Sequence, residues 1–379
     1  MIDYETLRLI WWVLIGALLI GFAIMDGFDM GVGMLIPFVG DNDTQRRIAI
    51  NAIAPHWDGN QVWLICAGGA LFAAWPLVYA TAFSGFYIAM VLLLVALYLR
   101  PVAFDYRSKI EHPLWRHSWD WLLALGSLLP PLICGIAFGN LLQGVPFHFS
   151  EWMRPIYSGS FFELLNPFAL ICAVISALMI LTQGASYLMM KTQDEVASRA
   201  RLAAIICALL TAIFFTLAGL WVAYGLDGFI ISGPINPSAP SNPQLKSVVT
   251  EAGAWLNNYS LHPWMVFAPI TGILGCIGCW MMARAARPVG AFICSSTKIA
   301  GIILTAGFSM FPFVMPSITN PDSSLTLWNA SSSQKTLMIM LIAAAILLPL
   351  ILFYTSWTHK KMFGRVTKEH IEQNPHSLY

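Results

Sequence analysis

Between Gly59 and Leu99 the chain runs without a single Asp, Glu, Lys or Arg. In water such a stretch would have to be buried on every side. A bilayer core of roughly 30 Å instead calls for about 20 apolar residues per helix and accepts two helices in a row. Runs of this size recur, and nine spans are expected: Leu7–Phe38, Ile50–Trp75, Leu77–Leu99, Trp119–Leu142, Phe161–Met190, Leu202–Tyr224, Pro263–Ala283, Val289–Phe311 and Thr336–Trp357. Pro76 should split the charge-free stretch into a hairpin of two helices. The chain is 58% apolar and 10% charged, against about 25% charge in a soluble domain. A formal charge of +1 gives no electrostatic footprint for nucleic acid, and the apolar content excludes disorder. The fold class is therefore all-α, a polytopic membrane protein, with residues 1–379 as one transmembrane domain.

Basic residues orient it. Fifteen of the twenty Lys and Arg follow the first, third, fifth, seventh and ninth spans, and cytoplasmic segments hold such an excess. The N-terminus is expected outside and the C-terminus in the cytoplasm. Segments 225–262 and 312–335, rich in Pro, Ser and Asn, become outer loops. The first run continues past signal-peptide length without an A-x-A-like site, so it should remain as an anchor.

Ionisable groups inside a bilayer cost about 2.5–3.5 kcal/mol each on insertion scales, which makes every one a functional candidate. Asp26 and Asp29, three apart, share a helical face. Gly27 and Gly31 beside them form a small-xxx-small step that admits a second helix. Two readings stand for the pair: carboxylates bonded to neighbouring backbone or basic groups, or an ion or proton site. A denser cluster opens the second span, with Asn51, His56, Asp58, Asn60 and Gln61. His56 and Asn60 are four apart and Asp58 and Gln61 three apart, so two polar stripes can face the interior and hold water. Asp58 is the strongest single candidate for a proton conduit, since it can exchange with interfacial water and with a buried relay; the alternative is a role in helix packing.

Other charged residues read as structural. Arg100, Asp105, Arg107, Lys109 and Glu111 form a solvated face that sets topology. Asp120 should cap the fourth span, and Lys298 should snorkel to the interface. The seven cysteines fall in apolar runs, and Cys276-x-x-Cys279 has no second pair or nearby His to complete a metal site. His56 is the one clear intramembrane histidine, too few for a chain holding several hemes. This chain alone shows no catalytic set and no metal site.

Several segments together resemble subunit II of the cytochrome bd-type quinol oxidases of bacteria. They are Asp26-Gly-Phe-Asp-Met-Gly31, Ile53-Ala-Pro-His-Trp-Asp-Gly-Asn-Gln-Val-Trp63, Gly68-Gly-Ala-Leu-Phe-Ala-Ala-Trp-Pro76, Arg100-Pro-Val-Ala-Phe-Asp-Tyr-Arg107, Phe138-Gly-Asn-Leu-Leu-Gln-Gly-Val-Pro146, Phe311-Pro-Phe-Val-Met-Pro-Ser317 and Ser324-Leu-Thr-Leu-Trp328. The ends, Met1-Ile-Asp-Tyr-Glu5 and Ser377-Leu-Tyr379, are similar to the ubiquinol-oxidising enterobacterial type. Asn329 stands where the resemblance leads one to expect an acid.

The resemblance implies nine helices in two four-helix bundles plus one peripheral helix, in the bacterial inner membrane, with a periplasmic N-terminus. It implies partnership with subunit I, which would carry two b-type hemes and one d-type heme, and with one or two small single-helix subunits. The complex would oxidise ubiquinol, reduce oxygen to water and take the protons from the cytoplasm, generating proton motive force without pumping. This chain would supply scaffold, a bound ubiquinone in a pocket whose residues the motifs do not give, and a proton path at Asp58, Asp105 and Lys109. Asp26, Asp29, His56, Asn60 and Gln61 would act in support or proton exchange. Two rival readings are a proton-coupled secondary transporter with its site among Asp26, Asp29 and Asp58, and a purely structural assembly subunit.

Overall fold

The computed structural model describes residues 2–362 and 364–373; the Ser377–Tyr379 signature lies outside them. Helix α1 spans Tyr4–Val39 and opens on Asp3, whose carboxylate accepts from the Thr6 amide. A short amphipathic α2 (Asp43–Ile53) leads to α3 (Trp57–Ala74), α4 (Pro76–Gly85), α5 (Tyr87–Arg107) and α6 (Pro113–Gln143). The hairpin β1 (Phe147–Phe149) and β2 (Pro155–Tyr157) precedes α7 (Pro167–Lys191) and α8 (Asp194–Tyr224). Strands β3 (Asp227–Ser232) and β4 (Ser247–Ala252) and the turn-length α9 (Asn257–Leu261) come before α10 (Phe267–Arg284) and α11 (Pro288–Met310). The chain closes with β5 (Phe313–Met315), β6 (Leu325–Thr326), α12 (Leu327–Ala330), α13 (Gln334–Lys361) and α14 (Lys368–Gln373).

Among the described residues eight helices are long and apolar enough to cross a membrane. A ninth crossing is added when α3 and α4, bent by 119° at Trp75, count as one span. Two expected boundaries change. The second span begins at Trp57 rather than Ile50, because Pro55 has no amide hydrogen to carry the α2 ladder onward and α2 ends at Ile53. The third begins at Tyr87 rather than Leu77, since Pro76 starts a separate helix, α4. Segments 225–262 and 312–335 are also more ordered than their Pro and Ser content suggests. β3 and β4 pair antiparallel from Asp227↔Ala252 to Ser232↔Ser247, and β5 pairs with β6. In the second of these loops the Asn329 side chain accepts from the Thr326 amide (2.6 Å) and donates to the Ser324 carbonyl (3.3 Å). An amide does both at once; an ionised carboxylate could only accept.

Helix α1 packs against α3, α6, α7, α11 and α13. Its approach to α7 is backbone to backbone: a methyl on Gly31 would fall 2.2 Å from the Ile180 carbonyl oxygen, and one on Gly184 would fall 2.2 Å from the Gly31 carbonyl carbon. Gly31→Val should therefore cost about 3 kcal/mol, the upper end for overpacking, read as a lower thermal midpoint of the detergent-solubilised protein. An unchanged midpoint would mean that the helices can part freely here.

Lys298 does not snorkel. It sits in mid-α11, fully buried, and its Nζ donates to the Met179 carbonyl at 3.2 Å. Contacts of α11 with α10, α7 and α1 close off its route to either interface. One hydrogen bond compensates a buried ammonium poorly. Lys298→Met should accordingly leave the fold intact and raise the thermal midpoint; a fall would show that the amine is structurally required.

Asp120 does not cap its helix either. α6 starts seven residues earlier, with Pro113 at its first position and His112 at the N-cap. The fully buried Asp120 carboxylate instead accepts from Arg107 Nε (2.5 Å) and Arg46 Nη1 (3.0 Å). Asp43 receives Arg107 (2.9 Å) and Arg116 (2.8 Å). Arg107, expected on a solvated face, is thus a buried tie joining α2, α5 and α6.

Candidate functional site

The acidic motif of α1 lies inside the molecule, and both its carboxylates are fully buried. Asp26 is held by Arg100 in a two-pronged pair, Nη2 to Oδ1 at 2.7 Å and Nη1 to Oδ2 at 3.1 Å. Arg100, expected on a solvated face, is buried. It belongs to α5, which runs through Pro101 to Arg107, so its guanidinium points into the helix packing with 1% exposure. Asp29 is served differently: its Oδ2 accepts from Asn60 Nδ2 at 2.8 Å, while its Oδ1 has no partner. Nearby, Tyr187 stacks on Phe28 at 4.1 Å and donates to the Ala52 carbonyl at 3.3 Å. A carboxylate with one satisfied and one unsatisfied oxygen in a buried setting is a group suited to exchanging a proton.

The second cluster divides between two faces of the α3 start. His56 and Asn60 are buried as the helical spacing implies, and the His56 ring stacks on His359 with centroids 4.3 Å apart. His56 lies in the turn before α3, where burial, then His359 and Lys191, push its imidazole down to about 4. The other stripe does not face inward. Asp58 is exposed and Gln61 half-buried, because α3 packs on α1 through one face and leaves the opposite one uncovered. That uncovered face continues as Val62, Ile65 and Phe72, all exposed.

Asp105 and Lys109 are exposed at the end of α5. The two helix ends meet through Trp57 and Phe104, whose rings stack at 5.4 Å, so Asp58 and Asp105 each follow one member of that pair. α5 likewise presents an apolar exposed face, with Leu94, Val95, Tyr98 and Val102 uncovered. Asp58 and Asp105 stand at the basic end of these two bare surfaces. Asp26, Asp29 and Asp58 do not converge: Asp26 is occupied by Arg100, and Asp58 points to the outside while Asn60, two residues on, reaches Asp29. No group of three metal-ligating side chains occurs among the described residues.

A partly open cavity of about 570 Å³, of which residue spacing gives no sign, lies among α1, α3, α6, α7, α8, α9, α10 and α11, lined by apolar groups such as Phe22, Phe138, Phe168, Met179 and Ile302. Polar groups gather at its end beside α9, where Tyr259 Oη lies 2.9 Å from Ser309 Oγ and donates to the Thr305 carbonyl. No histidine is in its lining.

Known proteins resemble the whole chain. The family model for cytochrome bd terminal oxidase subunit II matches residues 7–362. Among curated relatives, cytochrome bd-I ubiquinol oxidase subunit 2 of Escherichia coli K12 is 59% identical, covering 100% of both chains. The probable cytochrome oxidase subunit 2 of Haemophilus influenzae is 53% identical over the same 100% of each. Cytochrome bd ubiquinol oxidase subunit 2 of Bacillus subtilis is 32% identical, covering 96% of this chain and 97% of that one. A chain of the bd oxidase structure from Geobacillus thermodenitrificans superposes with a TM-score of 0.68 at 17% identity, over 95% of this chain and 100% of that one, a likeness of fold. With the family model matched almost end to end and close relatives aligned over their full length, the chain belongs to the cytochrome bd terminal oxidase subunit II family.

Proposed function

We propose that the chain is the heme-free integral subunit of a bd-type terminal oxidase of the bacterial inner membrane, N-terminus in the periplasm and basic end in the cytoplasm. Subunit I and one or two small single-helix subunits complete the complex, which oxidises ubiquinol, reduces oxygen to water and takes the consumed protons from the cytoplasm. The observation that carries this reading is the uncovered apolar surface of α3 and α5, broken at its cytoplasmic end by Asp58 and Asp105. The apolar side chains alone would suit lipid; the exposed carboxylates at the edge of this surface are what fit proton delivery to a membrane partner. The spans group as α1, α3, α5 and α6 and as α7, α8, α10 and α11 in this reading, with α7 packed on both α1 and α6 where the two groups join and α13 set against α1 and α3.

The residues here do not fit heme ligation. His56 is engaged with His359, and the interior cavity offers no imidazole. The two b-type hemes and the d-type heme therefore belong to subunit I. A ubiquinone does fit the cavity, whose apolar length suits an isoprenoid tail and whose Tyr259 and Ser309 hydroxyls suit quinone oxygens. Bound there, it contributes a redox-active ring or a rigid filler. Tyr259 and Ser309 orient the ring and the phenylalanines exclude water. Asp58 accepts a proton from cytoplasmic water and releases it toward the partner; Asp105 and Lys109 hold water at the mouth, and Asp29, through Asn60, steadies the turn behind Asp58.

Purifying the tagged chain from native membrane tests the assignment. It should bring down a larger heme-bearing polypeptide with a chlorin-type absorption band, and a colourless lone protein would overturn the reading. Ala306→Trp, which fills the cavity from α11, should lower the ubiquinone recovered per complex about tenfold, equivalent to ~1.4 kcal/mol. Unchanged ubiquinone content would place the quinone elsewhere.

A further inference from the structure

The exposed lining residues of the 570 Å³ cavity gather in one place: Gly219 of α8, Leu256 and Ser260 at α9, and Val266 one residue before α10. Two neighbouring seams are shut by backbone. A methyl on Gly139 of α6 would fall 2.6 Å from the Ala169 Cα of α7, and one on Gly301 of α11 would fall 2.3 Å from the Gly272 nitrogen of α10, so neither seam admits a ligand. The seam between α8 and α10 changes along its length. Toward the basic end Arg201 Nε donates to the Ala283 carbonyl at 2.8 Å, and Ala204, Ala208, Cys276 and Cys279 are buried. Midway, the Phe215 ring lies 3.3 Å from where a methyl on Gly272 would stand. One turn further along α8, a methyl on Gly219 would meet nothing within 4 Å. The two helices thus close the cavity on the basic side of Phe215 and leave its wall open at Gly219.

The surface around that opening is apolar. Leu217 and Leu220 of α8 and Phe267 and Ile270 of α10 are all exposed. Tyr224, which ends α8, and Trp264, just before α10, are exposed as well, at the level where aromatic residues mark a headgroup boundary. An opening set among such side chains faces hydrocarbon rather than water. We infer that it is a lateral portal through which an isoprenoid quinone passes between the bilayer and the cavity, so that the bound quinone exchanges with the membrane pool instead of being sealed in at folding. The inference rests on the reading of the cavity as a ubiquinone site. Gap and cavity are both apolar, which suits a tail that never leaves hydrocarbon. Tyr259, half-buried beside the exposed Ser260, stands just inside the gap with Ser309, where a ring following its tail inward would stop.

Purified complex, reconstituted into vesicles containing deuterated ubiquinone-10, can be re-isolated at intervals and its bound ubiquinone extracted and measured by mass spectrometry. In the wild type the label should replace the resident quinone. Gly219→Trp and Val266→Trp, one from each side of the gap, should hold as much ubiquinone but exchange it about tenfold more slowly, a barrier change of ~1.4 kcal/mol. Trp at position 219 enters open space and is a better helix former than Gly, and the thermal midpoint of each variant shows that it is folded. Leu217→Trp, exposed on α8 and outside the cavity lining, should exchange at the wild-type rate. Ubiquinone content unchanged by Ala306→Trp would remove the cavity reading and the portal with it. Content lowered by Ala306→Trp, with no exchange in the wild type or equal exchange in wild type and both gap variants, would overturn the portal alone. Equal slowing by Leu217→Trp, or loss of the bound ubiquinone from both gap variants, would overturn it too.

Discussion

Asp58→Asn should lower ubiquinol-driven oxygen uptake by about 10²-fold, the low end for loss of a positioned proton-transfer group, while heme content and thermal midpoint stay at wild-type values. The carboxylate is exposed on this chain, so the isosteric amide disturbs no internal packing and an activity loss cannot be charged to misfolding. Asp58→Glu should restore most of the rate, because the longer side chain keeps the titratable group at the same mouth. Asp105→Asn alone should cost less, since water can reach Asp58 without it, and the pair should lose no more than Asp58→Asn if both serve one path. Proton consumption measured in vesicles should fall in step with oxygen uptake. Full activity in Asp58→Asn would leave this chain as scaffold only.

How far the sequence discloses such a site depends on the range of the interaction involved. Span count and polarity are local properties: the length of an apolar run is compared with the thickness of a bilayer, and basic residues are counted on each side. Boundaries are less local. Pro55 and Pro76 are both visible in the chain, but whether a proline ends one helix or starts the next depends on how the following segment packs, and α4 turns away from α3 for that reason. Spacing marks both His56 and Asn60 as buried, yet they meet different partners: Asn60, on α3, reaches Asp29 of α1, while His56, in the turn before α3, stacks on His359. The same spacing cannot say that Asp58 and Gln61 look outward, since that requires knowing which face has no neighbour. Lys298 shows the limit most clearly: nine residues into its span it could reach an interface in an isolated helix, and only the packing of α11 among three other helices encloses it. The cavity is further from reach, because a void belongs to several helices at once and to no single segment.

Removing Arg100 should have the largest structural effect of any single substitution. Arg100 and Asp26 are 74 residues apart, 1% and 0% exposed, and joined by two hydrogen bonds. Taking away one member leaves the other charge buried without its partner, a cost of about 3–5 kcal/mol for a pair of this kind. Arg100→Met or Asp26→Leu alone should therefore reduce assembled complex in the membrane severely and lower the thermal midpoint of what remains. The double variant Arg100→Met with Asp26→Leu removes both charges and keeps apolar volume, so its stability should return close to wild type, since such replacements are often neutral or stabilising. A double-mutant cycle on thermal midpoint isolates the coupling. Its activity then answers a further question. If the restored double variant turns over normally, the pair holds α1 to α5 and nothing more. If it folds, carries heme and still fails to consume oxygen, Asp26 takes part in moving protons past Asp29. Additive losses in the two single variants, with no recovery in the double, would show that the pair contributes no coupling energy to the bundle.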